Sequence, residues 1–412
     1  MLTVLLLGAL LGSQSPAAPA GVVAAIQIQG NAVVSSEEVT RLSGLVVGQP
    51  FDAGTVAKVE SALRASRRFE HVEALQRYAS LDDPSQIVIV IIVDEGPLKL
   101  KGRGPGTTIV RSGGPHLLFS PLVSYEDGYG FAYGARFAKP GLLGNRSRIS
   151  FPLTWGGDKH AGVDLDKAWA RGPLSRGEVS LFTSRRTNPF DAADDDRTGV
   201  KVSGDRDVTG PIRVGAWGSV AHVSFLAARD RVTEAAVNVT LDTRHDPFLA
   251  RNALYARAEV GHVGVAGGVS ARRASLDARA YLGLIRQSIL VVGVSRQSAD
   301  QSLPLYLKPL LGGMESLRGF RAGYKAGDTV VNGTTELRVP LTSPLSLARV
   351  GVSVFADAGT AYQHGERFRD QTVDRGYGTG AWFVVSAVRL RLDVAHGAGA
   401  GTRMHFGSTI SF

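Results

Sequence analysis

From about residue 115 to the carboxyl terminus, apolar and polar residues alternate with a period of two, in about sixteen stretches of roughly ten residues each. In one stretch Ile149, Phe151, Leu153 and Trp155 alternate with Arg148, Ser150, Pro152 and Thr154. In another, Leu276, Ala278, Ala280 and Leu282 stand opposite Ser275, Asp277, Arg279 and Tyr281. Near the end, Val388, Leu390, Leu392 and Val394 face away from Arg389, Arg391 and Asp393. Successive side chains of a strand point to opposite faces, so each stretch reads as a strand with one apolar face. Strands of that length cross a bilayer when tilted, and an even number of them suits a closed barrel. Closure also removes the unpaired edges that so many strands would otherwise expose. A soluble sandwich alternates as well, but its polar face looks onto bulk water. The expectation is a transmembrane antiparallel β-barrel of about sixteen strands over residues 115–412. Aromatic residues make up 7% of the chain, thin for two full interfacial girdles, so the lipid-facing surface should be mostly Val, Ala and Leu.

Composition agrees with such a chain. Among 412 residues, 44% are hydrophobic and 20% charged, which fits neither a disordered chain nor a helical membrane protein. No cysteine is present, which excludes disulfides, thiol chemistry and thiolate metal sites. The net charge of +9 raises nucleic acid as a partner, but the basic residues are scattered singly without aromatic interleaving. No nucleic-acid partner is expected. The amino terminus has an apolar core, Leu2 to Leu11, followed by Ala18-Pro19-Ala20. That pattern predicts a signal peptide over 1–20, although no Lys or Arg precedes the apolar core.

Residues 22–96 have a different character. Ile26 and Ile28 alternate with Gln27 and Gln29 before Gly30-Asn31, a strand running into a turn. Ser35 and Glu38 have capping-box spacing for a first helix, and Gly44 can stop it. Asp52 is the expected N-cap of a second helix, whose Val56, Val59 and Leu63 share one face. Two further strands end at "VDEGP", giving the order strand, helix, helix, strand, strand. With "GN" after the first strand and "RRFEHVEA" leading into the second, this segment resembles a polypeptide-transport-associated (POTRA) domain. The fold expected is thus a small α+β POTRA-like domain at 22–96, a linker at 97–114, and the barrel. POTRA domains offer a strand edge to extended client segments, so the resemblance implies recognition by β-augmentation.

One segment breaks the alternation. "GGMESLRGFRAGYKAGD", residues 312–328, carries five glycines and holds Arg318 between Leu317 and Gly319-Phe320. The next strands place Glu336 and Arg338 opposite Leu337 and Val339, and Asp357 opposite Val350, Val352, Val354 and Ala356. A glycine-rich loop ahead of these strands can fold into the barrel and bring Arg318 to Asp357 and Glu336. Leu317 and Phe320 would pack against the wall. A guanidinium is a rigid fork that matches a carboxylate, so orientation of the loop is what such a pair would supply.

"SLRGF", "ELRVPL" and "VFADAGTAY" in this order, with "DTRHDP" at 242–247, resemble the barrel of the BamA/TamA outer-membrane assembly family, also called the bacterial surface antigen family. In that family the loop arginine contacts a lumenal aspartate on the "DxG" strand, which corresponds here to Arg318 and Asp357. The chain departs from the family in having room for one POTRA-like domain, and in Arg251-Asn252 where Pro-Gly is expected. Its last strand, "HFGSTISF", matches an outer-membrane sorting signal through His405, Gly407, Ile410 and Phe412.

The function implied is an outer-membrane assembly, insertion or translocation factor that receives client strands through its POTRA domain and barrel seam. The alternative is a passive or secretion channel, with Arg257, Arg279, Arg389 and Arg391 in the lumen. No G-x-S-x-G, Walker or H-E-x-x-H sequence occurs, so no enzyme is expected. Nine histidines lack ligand spacing, and Asp194, Asp195 and Asp196 read as a solvated loop; neither a metal nor a cofactor is expected. The expected partners are unfolded outer-membrane or secreted proteins, membrane lipid, and periplasmic chaperones or accessory subunits. The POTRA-like domain should lie in the periplasm.

Overall fold

The structure is a computed structural model that describes residues 21–410, apart from 32, 53, 67, 70, 80–84, 96–97, 102–107, 112–117, 145, 170, 245–249, 286, 343–347 and 386–387. The expected signal peptide at 1–20, Phe412 and part of the expected linker lie outside the described residues. The chain forms two compact units, 1–114 and 115–412.

In the first unit β1 (Gly21–Gln29), α1 (Ser36–Ser43), α2 (Thr55–Ala65), β3 (His71–Tyr78) and β4 (Gln86–Asp94) follow the expected order. A two-residue strand, β2 (Pro50–Phe51), is added between the helices. The sheet order is β2-β1-β4-β3, with β1 parallel to β4, so the helices form the crossover that a parallel pair needs. Val23, Val39, Val59, Leu63, Ile89 and Ile91 make the core between sheet and helices. Ser35 caps α1 by accepting from the Glu38 N–H (3.3 Å), and Gly44 closes it with φ 70°. The expected cap of α2, Asp52, instead stands two residues before the N-cap, Gly54. Its carboxylate accepts from the Gly54 N–H (2.8 Å) and the Thr55 hydroxyl (2.8 Å), so it shapes the turn into the helix. Glu95 of "VDEGP" is buried and accepts from the N–H groups of Val33 and Val34, both at 2.8 Å. It ties the end of β4 to the turn after β1. The stretch expected as a linker carries a short antiparallel hairpin, β5 (Leu98–Lys101) with β6 (Thr108–Arg111).

The second unit is a closed barrel. Its first half consists of β7 (Leu118–Glu126), β8 (Gly130–Pro140), β9 (Ser147–Gly156), β10 (Asp158–Ala168), β11 (Arg176–Asn188), β12 (Ala193–Thr209), β13 (Ile212–Phe225) and β14 (Ala228–Asp242). The rest is β15 (Ala253–Val265), β16 (Ser270–Gly283), β17 (Ile289–Ala299), β20 (Thr329–Thr342), β21 (Ala348–Tyr362), β22 (Asp374–Val385), β23 (Val388–Gly397) and β24 (Gly401–Ile410). Between β17 and β20 lies the glycine-rich loop, with a small hairpin of its own, β18 (Leu310–Leu311) with β19 (Lys325–Ala326).

Period-two alternation sets the faces: Val237, Val260, Val354 and Val394 are exposed on the outside, while their strand neighbours point inward. Several strands outrun the expected ten residues, β12 reaching 17. Their extra length is polar on the outer face too, with Arg185 paired to Asp196 and Thr183 to Thr198 (2.9 Å). Asp194, Asp195 and Asp196 are therefore not a solvated loop but the start of β12, bonded to Thr187, Arg197 and Arg185 respectively. Among the described residues, aromatics do not ring the barrel. Phe119, Phe131, Tyr133, Phe151 and Trp155 gather on the outer face of β7, β8 and β9.

The closure is uneven. Strands β23 and β24 are aligned from Val388↔Ile410 to Gly397↔Gly401. Strands β24 and β7 meet, among the described residues, at the single aligned pair Ser408↔Tyr125.

Candidate functional site

The loop folds into the barrel as its composition suggests. Leu311, Leu317 and Phe320 are buried together with Val330 of β20. Gly319 has φ 90°, a left-handed conformation that a β-carbon would strain. Its neighbour Arg318 is 3% exposed, in a chain whose other arginines are mostly solvated or half-buried.

Arg318 grips β21 with both ends of its fork. Nε donates to Asp357 Oδ2 (2.6 Å) and Nη2 to Asp357 Oδ1 (2.7 Å), while the Arg318 backbone N–H also donates to Oδ2 (3.1 Å). Nη1 reaches Glu336 of β20 (2.9 Å) and Asp393 of β23 (3.3 Å). Nη2 donates to the Thr334 hydroxyl (3.0 Å), and the guanidinium carbon lies 3.4 Å from the centre of the Phe355 ring. One side chain thus ties the loop to three strands. Two more cations complete the cluster: Arg338 donates to Glu336 (2.8 Å), and Arg391 to Glu336 (2.8 Å) and Asp393 (3.0 Å). Among the contacts described, three guanidiniums face three carboxylates, so their charges balance. Burial works against the charge of Arg318; Asp357, Glu336 and Asp393 outweigh that and hold its ionisation above the ordinary arginine value.

The wall makes room for the loop with glycines. A β-carbon on Gly376 of β22 would stand 1.9 Å from the Arg318 carbonyl oxygen. One on Gly397 of β23 would stand 2.6 Å from the Gly319 oxygen, and one on Gly407 of β24 would meet the Met314 sulfur at 2.6 Å. The loop backbone lies against β22 and β23 at a distance only glycine allows, and the Met314 side chain lies against β24.

His405 joins this arrangement. It is 1% exposed, and its Nε2 accepts from the Gly319 N–H (3.0 Å). That bond leaves the proton on Nδ1, which faces Asp127 Oδ2 in the turn between β7 and β8. His405 therefore connects the loop, the last strand and the first hairpin.

The structure brings together all the loop-motif residues and both expected partners, Asp357 and Glu336. His405 and Gly407, read from sequence as parts of a C-terminal signal, also face the loop. Ile410 ends β24, with Phe412 beyond the described residues. Sequence reasoning missed Asp393, Thr334, Phe355 and Asp127 as partners. Asp393 could have been found, because it shares the face of Arg391 two residues away. Of the four lumenal arginines expected for a channel, three are paired with carboxylates: Arg257 with Glu259 (2.9 Å), Arg279 with Asp277 (3.1 Å), and Arg391 as above. At 251–252, where Pro-Gly is expected, Asn252 adopts φ 49° and its side chain accepts from the Gly283 N–H (3.0 Å). Asparagine serves there as the left-handed residue.

Comparison with known proteins agrees with this architecture. Residues 21–96 match the POTRA family described as a surface antigen variable number repeat, and residues 122–412 match the Omp85 superfamily domain. Among solved structures, BamA from Haemophilus ducreyi lacking POTRA domains 1–3 is similar, with a TM-score of 0.63 and 15% identity over 96% of this chain and 85% of that one. CdiB from Escherichia coli is similar with a TM-score of 0.55 and 14% identity, covering 97% of this chain and 92% of that one. At such identities the likeness is one of fold. No curated protein matches the chain. With the family match spanning the barrel and its inserted loop, the chain belongs to the Omp85 superfamily.

Proposed function

We propose that the chain is an outer-membrane insertion or translocation factor that admits client strands at the seam between β7 and β24. The observation that carries this reading is the seam itself. Among the described residues a single aligned pair joins these strands, whereas the neighbouring pairs run the length of theirs. A client strand can add to either edge with little native pairing to displace, since main-chain hydrogen bonds supply affinity in such additions. No covalent chemistry is needed; folding of the client in the membrane drives the process. In this reading residues 1–20 direct export, and the POTRA unit lies in the periplasm, where the outer edge of β3 offers a first site for an extended client.

Arg318 and its carboxylates have a positioning role here. They hold the loop against β20–β24, beside the strand that must part from β7. Reconstitution tests this: the protein in liposomes should speed the insertion of an unfolded small outer-membrane barrel, and Arg318→Ala, still folded, should lose most of that gain. No acceleration would overturn the reading. Stable, large conductance in the same vesicles would then favour a channel, for which a lumenal cavity of about 440 Å³ beside the loop is the structural starting point.

A further inference from the structure

The outer wall near one rim carries an arrangement that neither the loop nor the seam uses. The turn between β8 and β9 exposes Leu142 and Leu143, and the turn between β10 and β11 exposes Trp169 and Leu174. That second turn folds up onto the wall. A β-carbon on Gly177 would meet the Trp169 ring at 3.0 Å, and one on Gly204 would meet Leu174 at 3.3 Å. Both glycines face outward, because they are aligned with each other in the row beside Val179↔Val202, whose side chains are exposed.

Five cations surround these side chains. Lys139 is aligned with Ile149, and Lys167 with Gly177, on the outer face. Arg206 follows Gly204 on that face and is aligned with Val214. Arg146 and Arg171 are exposed in the two turns. Lys167 and Arg206 donate only to main-chain oxygens, those of Leu143 and Gly172. The nearby acids are committed inward: Asp166 pairs with Arg176, and Asp207 with Arg213 (2.8 Å). Among the described residues, none of the five cations is paired with a carboxylate.

We propose that this patch over β8–β12 binds the headgroups of anionic phospholipids. Exposed Trp and Leu at the rim of a membrane-spanning wall lie in the interfacial layer, where the occupant is lipid. The unopposed positive charge selects among lipids, each basic residue near the surface adding to the attraction for an anionic headgroup. These turns lie at the end where the chain enters β7, the periplasmic end in the orientation proposed above, so the leaflet is the one that faces the periplasm. A free phosphate or the acidic lipid of the other leaflet would not meet the Trp169 and Leu174 surface at this depth.

Quenching of tryptophan fluorescence by brominated lipids tests the assignment. Trp155→Phe removes the other outward-facing tryptophan of the described wall, so that contact quenching reports Trp169; adding Trp169→Phe should abolish it. In mixed bilayers, brominated phosphatidylglycerol should be enriched about fivefold over brominated phosphatidylcholine at this site, with the preference falling as salt rises. Replacing Lys139, Arg146, Lys167, Arg171 and Arg206 with Gln should remove the preference while the barrel keeps its heat-modifiable mobility in gels. Equal quenching by both lipids, or a preference that survives the five substitutions, would overturn the proposal. The measurement needs no client, so its failure is separable from failure of the insertion reading.

Discussion

Arg318→Ala should release the loop far more than Asp357→Ala, although the two side chains bond each other. The reason lies in what each substitution leaves behind. Without Arg318, Glu336 still has Arg338 and Arg391 at 2.8 Å, and Asp393 still has Arg391 at 3.0 Å. Asp357 keeps the Thr334 hydroxyl but no guanidinium among the bonds described above. An uncompensated buried carboxylate costs about 3–5 kcal/mol. Without Asp357, Arg318 keeps Glu336 (2.9 Å) and Asp393 (3.3 Å), so the loss is nearer that of charged hydrogen bonds, about 1.5–3 kcal/mol. The double variant restores charge balance, two cations against two carboxylates, and should cost about 2 kcal/mol less than the sum of the singles. Tryptic cleavage at Arg321 and Lys325 under native conditions reads the opening of the loop, provided opening and closing are fast relative to cleavage. Arg318→Ala should then be cut about 10²- to 10⁴-fold faster than the parent. Equal rates for the two single variants, or additivity within about 0.5 kcal/mol, would refute the reasoning.

Gly376→Ala places a methyl 1.9 Å from the Arg318 oxygen and should raise the same cleavage rate at least about tenfold, with little change in barrel melting. His405→Phe, which fills the site but cannot accept from Gly319, should loosen the loop by about 1–2 kcal/mol in that assay, whereas His405→Gln should recover part of the loss. Tyr125→Cys with Ser408→Cys adds the only thiols to a chain without cysteine, at an aligned antiparallel pair. Oxidation should lock the seam and reduce client insertion below about a tenth, and reductant should restore it. In the POTRA unit, the Thr55 hydroxyl and then Lys58 hold the Asp52 carboxyl below its ordinary value. Its stabilisation is therefore present above the unfolded value and lost as pH falls through the folded one; Asp52→Asn should flatten the acid limb of the unit's melting curve.

The barrel was legible because period two survives almost unbroken over most of the chain and the outer face is mostly apolar. Strand ends were less so: β12 continues past the bilayer with polar residues on both faces, a pattern that reads as loop when only apolar alternation is sought. Within the site, Arg318, Asp357 and Glu336 could be paired because each lies on a face fixed by parity. Asp127 and His405 could not. They are 278 positions apart and meet only because closure of the barrel sets the first hairpin beside the last strand. Sequence parity tells which face a side chain takes, but not which distant strand lies opposite, and that depends on strand number and stagger. The extra strand β2 was hidden for a different cause: two residues carry no period at all.

The placement of the glycines explains why the loop rests where it does. Main chain can approach main chain only where β-carbons are missing; Gly376 and Gly397 clear such a strip across β22 and β23, and Gly407 of β24 extends it for the Met314 side chain. A strip elsewhere on the wall would have held the loop equally well but away from the seam. Here the loop tip ends on His405, and His405 reaches across the weakly paired edge to Asp127. Parting β24 from β7 must break the Asp127 contact. If the Gly319 contact then holds, the loop is drawn along with β24; if it breaks too, the loop stays with β20 and β21, where Arg318 anchors it. The second bond is a single neutral N–H to imidazole contact, whereas Arg318 makes several charged ones, so the anchor is the stronger of the loop's two attachments. The loop is thus fixed to the wall by Arg318 and more lightly held to β24 through His405, the arrangement that the proposed opening of the seam needs if it is not to unfold what lies inside the barrel.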